Sequence, residues 1–219
     1  MRAVGPSAPV RLPPHAPGMR IGLYGGSFDP PHAGHRHVSL VALRRLRLDR
    51  VWWLVTPGNP LKDRRALPPV ADRAAAARAL VRDPRIAVAT VEEAIGSLYT
   101  VDTLAYLRRR CPGVDFVWIM GADSLATLHR WKGWRRIAAL APIAVVDRPG
   151  WTLRATRGKA ATRFARRRLP ESAAPALATA SPPAWLYLYG PRSPLSSTAL
   201  REQARNPPDP GNGSVTNFS

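Results

Sequence analysis

The chain has one cysteine, Cys111, among its 219 residues, which excludes an intramolecular disulfide framework. Lysine is nearly as scarce, since three of the 33 basic residues are Lys and the rest are Arg. No run reaches the roughly 18 consecutive apolar residues of a membrane span; the greasiest segments, Val51 to Val55 and Ile137 to Val146, are short or interrupted. No apolar stretch of signal-peptide length follows Arg2, so a cytoplasmic location is expected. Acidic residues are few, 14 against 33 basic ones, for a net charge of +19. A field of that sign attracts polyanions, either nucleic acid or phosphorylated small molecules. The arginines are spread over many segments beside 24 prolines and abundant alanine, so a composition bias without any partner accounts for the excess equally well. A basic nucleic-acid-binding protein is the rival class, but helix-turn-helix, zinc-module and aromatic RNA-binding patterns are all missing. No specific nucleic-acid or membrane partner is expected.

A chain of this length buries about 70% of its unfolded surface, enough for one domain with its own core. Residues 1–18, rich in Pro and Ala without a hydrophobic period, are expected to be disordered. Met19 follows them directly and serves equally well as a translation start. From Asn206 the chain reads NPPDPGNGSVTNFS, whose breakers forbid an element interior, so 206–219 is expected to be a disordered tail and 19–205 the domain. Within the domain, Arg20 to Tyr24, Val51 to Thr56, Ile86 to Ala89, Asp115 to Met120, Ile143 to Val146 and Trp185 to Tyr189 are short apolar runs bounded by turn formers. Such runs suit strands buried on both faces. Between them Val38, Val41, Ala42 and Leu46 recur at helical spacing, and Ala71 to Val81, Val101 to Arg109, Trp134 to Leu140 and Thr156 to Arg168 are further helix candidates. The alternation predicts an α/β fold: a Rossmann-like, doubly wound, mostly parallel sheet in a single domain. Ligands of such sheets sit beyond the carboxyl ends of the strands, where strand order reverses.

The first strand runs into Gly25-Gly26-Ser27-Phe28-Asp29-Pro30-Pro31-His32-Ala33-Gly34-His35. Glycines let the backbone approach a ligand, prolines stiffen the turn, and the helix starting near Gly34 offers free N–H groups and a positive dipole end. The turn suits an anion, with His32 and His35 both able to face one phosphate. A zinc site would want four ligands and finds no cysteine nearby, so no metal ligand is assigned. His37 reads as a solvated helix residue. Neither a Gly-x-Gly-x-x-Gly fingerprint nor a Walker motif is present, which leaves hydride transfer and kinase chemistry without residues. Near the other end, Leu195-Ser196-Ser197-Thr198-Ala199-Leu200-Arg201 reads as a helix start whose Arg201 returns to the face of Ser197 and can clamp phosphate oxygens.

The string GGSFDPPHAGH resembles the signature of the HxGH nucleotidyltransferases, a family of Rossmann-like adenylyl- and cytidylyltransferases, and LSSTALR resembles that family's second motif. Trp118 to Leu125, His129-Arg130-Trp131 and Val146 to Gly150 resemble elements of the bacterial nicotinate-nucleotide adenylyltransferases, as do Pro57 to Lys62 and Tyr99 to Thr103. The resemblance implies adenylyl transfer from ATP to nicotinate mononucleotide, a step of NAD biosynthesis, with Mg²⁺ carried on the ATP phosphates and few or no protein ligands to it. It implies catalytic roles for His32, His35 and Arg201. ATP would be held by Gly25, Gly26, Ser27, Phe28, Ser196, Ser197 and Arg201, and the mononucleotide by Lys62, Thr100, Gly121, Asp123, Trp131 and Arg148. Trp131 would stack on the pyridine ring and Thr100 would offer N–H groups to its carboxylate. Sister enzymes that adenylylate nicotinamide mononucleotide or phosphopantetheine are the near alternatives, and should lack the Trp131 and Thr100 elements. A homo-oligomer is compatible with all of this.

Overall fold

In the computed structural model of the protein, residues 10–58 and 67–190 are described. Lys62, Ser196, Ser197, Arg201 and the tail from Asn206 lie outside them. Six strands, β1 (Arg20–Gly26), β2 (Arg50–Val55), β3 (Ile86–Ala89), β4 (Asp115–Gly121), β5 (Ile143–Val146) and β6 (Trp185–Leu188), form one sheet in the order β3-β2-β1-β4-β5-β6. All five pairings are parallel. The expected doubly wound α/β sheet is what forms, and its strand order reverses between β1 and β4.

Strand alternation sorts the core into two layers. Ile21, Leu23, Trp52 and Leu54 face a cluster shared with α4 (Thr100–Arg110), α5 (Ala122–Thr127), α6 (Trp134–Leu140) and α8 (Lys159–Arg163). Tyr24, Val51, Trp53 and Val55 face the other cluster, with α1 (Ala33–Arg45), α2 (Val70–Leu80) and the 3-10 helix Glu171–Thr179. Trp52 and Trp53 are both fully buried, one to each face, so the centre of β2 anchors both layers. Losing either ring would cost about 3–5 kcal/mol. Two short helices complete the set: α3 (Val91–Ala94) follows β3, and α7 (Thr152–Thr156) follows β5.

Two expectations are corrected. The single helix over Thr156 to Arg168 is instead α7, α8 and a 3-10 turn at Ala165–Arg167. Gly158 breaks it, since its backbone is extended, with φ −70° and ψ 158°, and it begins α8 as the N-cap. The N-terminal extension, expected to be disordered through residue 18, packs on the domain from residue 10. Val10 and Leu12 pack against the first cluster, and His15 meets the Trp52 ring edge-on at 5.7 Å. The Gly18 N–H donates to the Gly113 carbonyl at 2.7 Å. Prolines lower the entropy lost on docking, which a composition reading of disorder does not count.

Candidate active site

β1 delivers its glycines to the point where strand order reverses. A Cβ on Gly25 would lie 2.7 Å from the Trp118 ring, so a side chain there would displace an indole of the core. Phe28 turns the chain with φ 48°, the left-handed region, and its ring is fully buried, stacked on Trp53 at 4.9 Å and 4.7 Å from His35. Phe28 therefore anchors the turn, and only its backbone is left for a ligand.

His32 is the N-cap of α1 and His35 its third residue, and the two bond reciprocally. The Gly34 N–H donates to Nδ1 of His32 and the His32 N–H donates to Nδ1 of His35, each at 3.1 Å. A ring nitrogen that accepts carries no hydrogen, so both neutral imidazoles hold theirs on Nε2. The rings lie 3.8 Å apart, and Nε2 of His32 is buried with no partner among the described residues. Burial and then the Arg148 charge push His32 down to about 4. Burial, His32 and Arg148 push His35 down to about 2. Both are neutral donors at pH 7. Below them the Trp53 indole donates to Ser39 Oγ at 2.6 Å, and that hydroxyl donates to the His35 carbonyl at 2.9 Å, tying α1 to β2.

Gly121, Asp123 and Arg148 gather beside the histidines, at the carboxyl ends of β4 and β5. Arg148 reaches the Asp123 carboxylate at 3.5 Å, and a Cβ on Gly121 would collide with that carboxylate and crowd Arg148. Asp147 holds Arg148 in place: it accepts from the Arg148 N–H at 2.9 Å, from Thr152 Oγ1 at 2.8 Å and from the Tyr187 hydroxyl. The Tyr24 phenol below is pushed up to about 12 by burial.

A deep recess lies on the other side of the glycine turn, a cavity of about 240 Å³. Gly25, Gly26, Thr56, Thr100, Trp118 and Trp131 are among its lining, and the two indoles meet edge-on at 6.5 Å. Thr100 is the first residue of α4, and no side chain among the described residues caps that helix start. Thr100 and Trp131 are thus brought together with the glycine turn. Gly121, Asp123 and Arg148, which the resemblance grouped with them, do not line this cavity; they stand on the histidine side.

Several residues of the site were not anticipated. Glu92, on α3, lines the cavity while only 3% exposed, and burial pushes its carboxyl up against the pull of the Thr56 and Thr103 hydroxyls. Its place past the carboxyl end of β3 was the available signal. Tyr99, Arg130 and Lys132 also line the cavity, with the Lys132 ammonium 4.0 Å above the Tyr99 ring. Arg73 of α2 is buried and gives its guanidinium to three carbonyls, Ser27 at 2.6 Å, Thr56 at 2.8 Å and Pro68 at 2.8 Å. It staples the turn after β1 to the end of β2. In a chain so rich in arginine, nothing in the sequence sets it apart.

A parallel sheet whose first crossover presents paired histidine donors beside a nucleotide-sized cavity defines a nucleotide-binding α/β domain. The Cytidylyltransferase-like family matches residues 23–203. A protein named probable nicotinate-nucleotide adenylyltransferase in Methylorubrum extorquens is 66% identical over 183 residues, covering 84% of this chain and 99% of that protein. One of the same name in Bradyrhizobium sp. (strain BTAi1 / ATCC BAA-1182) is 60% identical, covering 84% of this chain and 95% of that protein. The chain belongs to the cytidylyltransferase-like family and, within it, to the nicotinate-nucleotide adenylyltransferases. The same fold is found in the Plasmodium falciparum nicotinic acid mononucleotide adenylyltransferase complexed with NaAD, with a TM-score of 0.63 at 16% identity over 84% of this chain and 83% of that one.

Proposed function

We propose that the chain transfers the adenylyl group of ATP to nicotinate mononucleotide, giving nicotinate adenine dinucleotide and pyrophosphate. The observation that carries the reading is that one glycine turn joins two unlike parts: it runs into the neutral histidine donors at the start of α1, and it lines a cavity that also takes in Trp131 and the uncapped start of α4. The mononucleotide's phosphate oxygen attacks the α-phosphorus of ATP, a new P–O bond forms, and the bond to pyrophosphate breaks. Such a transfer asks mainly for alignment and charge stabilisation, so no protein nucleophile is needed. Cys111 is buried at the far end of α4 from Thr100.

His32 and His35 donate Nε2–H bonds to oxygens on which negative charge grows, with the start of α1 behind them. Gly25, Gly26 and Ser27 let backbone lie against the phosphates, and Ser196, Ser197 and Arg201 complete the triphosphate grip. Trp131 stacks on the pyridine ring, and the first turn of α4 at Thr100 receives its carboxylate. Lys62 serves the acceptor phosphate. Gly121, Asp123 and Arg148 act where the two nucleotides meet. The reaction calls for a Mg²⁺ carried on the ATP phosphates. When bound, the ion neutralises triphosphate charge. A cytoplasmic location goes with this reading; among the described residues no helix is long and apolar enough to cross a membrane.

The test is pyrophosphate release from ATP with nicotinate mononucleotide, nicotinamide mononucleotide and phosphopantetheine offered in turn. The acid is expected to be the best acceptor, and turnover only with one of the others would overturn the reading.

A further inference from the structure

Glu92 poses a problem that the adenylyl-transfer reading does not solve. A cavity meant for an acceptor with a phosphate at one end and a carboxylate at the other contains a glutamate, and that glutamate is 3% exposed. Its Oε1 accepts from Thr103 Oγ1 at 3.3 Å. Its Oε2 is buried and has no hydrogen-bond partner among the described residues. A buried carboxyl oxygen left unpaired is costly, and it persists where a ligand completes it.

The donor inventory of nicotinate mononucleotide names the group that can do so. The ring nitrogen is quaternary and carries no hydrogen. The ring carboxylate and, at neutral pH, the phosphate only accept. The two ribose hydroxyls are the donors that the molecule brings. In position, too, Glu92 is set back from the start of α4: its carboxyl reaches Thr103, on the turn after Thr100, and the Thr56 hydroxyl at the end of β2. Thr56 in turn donates its N–H to the Gly26 carbonyl, so Glu92 links the glycine turn, suited to phosphates, with the helix that begins at Thr100, suited to the ring carboxylate. A nucleotide held by both would bring its sugar to Glu92.

We propose that Glu92 is a specificity-determining residue of the acceptor site, whose Oε2 accepts a hydrogen bond from a ribose hydroxyl of the mononucleotide. The inference rests on the acceptor assigned above. It makes the enzyme a reader of the sugar as well as of the ring, and sets a deoxyribose acceptor at a disadvantage.

The test measures kcat/KM for nicotinate mononucleotide and for its 2′-deoxy and 3′-deoxy analogues, with the wild type, Glu92→Ala and Glu92→Gln. In the wild type, one deoxy analogue is expected to be at least tenfold poorer than the ribose compound. In Glu92→Ala that ratio should collapse to within about threefold, and Glu92→Gln, whose amide oxygen still accepts, should keep part of it. A glutamate that merely braces Thr103 would lower all acceptors together and leave the ratio untouched; an unchanged ratio in Glu92→Ala overturns the proposal. So does a wild type indifferent to both deoxy analogues, a result that needs no variant to fold. If the wild type turns over the ribose compound but ignores the sugar, this inference alone falls. If it fails to use nicotinate mononucleotide at all, the acceptor assignment falls and this inference with it.

Discussion

The two helix starts that face the cleft are built in opposite ways. α1 is closed on itself: His32 caps it, His35 bonds back to the cap, and Ser39 and Trp53 brace the pair from below. α4 starts with no side-chain cap among the described residues, beside a glutamate oxygen that lacks a partner there. At the first, protein groups fix the donors before any ligand arrives, which suits charge that exists only in a transition state. At the second, N–H groups are left for the ligand to satisfy, which suits recognition of a stable substrate. The closed start and the open one thus lie at the same, carboxyl, end of one sheet, after β1 and after β3.

The comparison is broken most directly at α1. His35→Ala or His32→Ala is expected to lower kcat at least a hundredfold, because a lost transition-state donor is worth about 2.7–4 kcal/mol. His32→Ala should also cost about 1 kcal/mol of stability through the lost cap. Steady-state rates and melting curves on both variants check this, and a His32 variant with near-normal kcat would show that the reciprocal bonding serves the helix alone.

At α4 the expected effect is on choice. Proline is well tolerated at the first position of a helix and removes one N–H, and Tyr99 before it is already extended at φ −118° and ψ 125°. Thr100→Pro should therefore keep the fold while reducing the preference for nicotinate over nicotinamide mononucleotide by about tenfold, equal to about 1.4 kcal/mol. Comparing kcat/KM for the two acceptors in wild type and variant decides it; an unchanged ratio would move carboxylate recognition to the cations of the cavity wall, Arg130 and Lys132.

The closed start also predicts a dependence on acid. Histidines in the unfolded chain take up protons near pH 6.5, whereas His32 resists to about 4 and His35 to about 2. Between those values the unfolded state binds more protons, so this contribution is full above pH 6.5 and is lost as pH falls, down to about 4 for His32 and about 2 for His35. Urea midpoints should decline over that window, and His35→Asn should flatten the decline.

The smallest effect concerns neither helix. A chain beginning at Met19 should keep its kcat but melt a few degrees lower, because it loses the contacts of Val10, Leu12 and His15. Equal melting temperatures would show that the docked segment adds nothing to stability.

How much of this was legible depended on whether local pattern and tertiary role coincide. All six strands could be found because each is short and mostly apolar, and the ends of β3 and β5 could be found to the residue. The histidine turn was legible as a turn into a helix start, since glycine and proline declare themselves locally. Trp131 and Thr100 were matched by resemblance and do share a cavity. Arg148 and Asp123 matched the same family elements, yet they stand with the histidines, because strand order decides which loops are neighbours. α3 and α5, of four and six residues, are too short to show a period. Glu92 reads as a surface acid in Val-Glu-Glu-Ala, and only the packing of α4 over it makes it buried.

The segment docked ahead of β1 has a practical consequence. Gly18 bonds to Gly113, just before β4, so the segment joins β1 at the pole of the sheet where the strands begin. The glycine turn and the histidines lie beyond the other pole, the length of a seven-residue strand away, roughly 20 Å. A carrier protein or a surface tether joined at Gly18 in place of the preceding residues would therefore hold the protein by the pole opposite the glycine turn, and leave that turn facing outward.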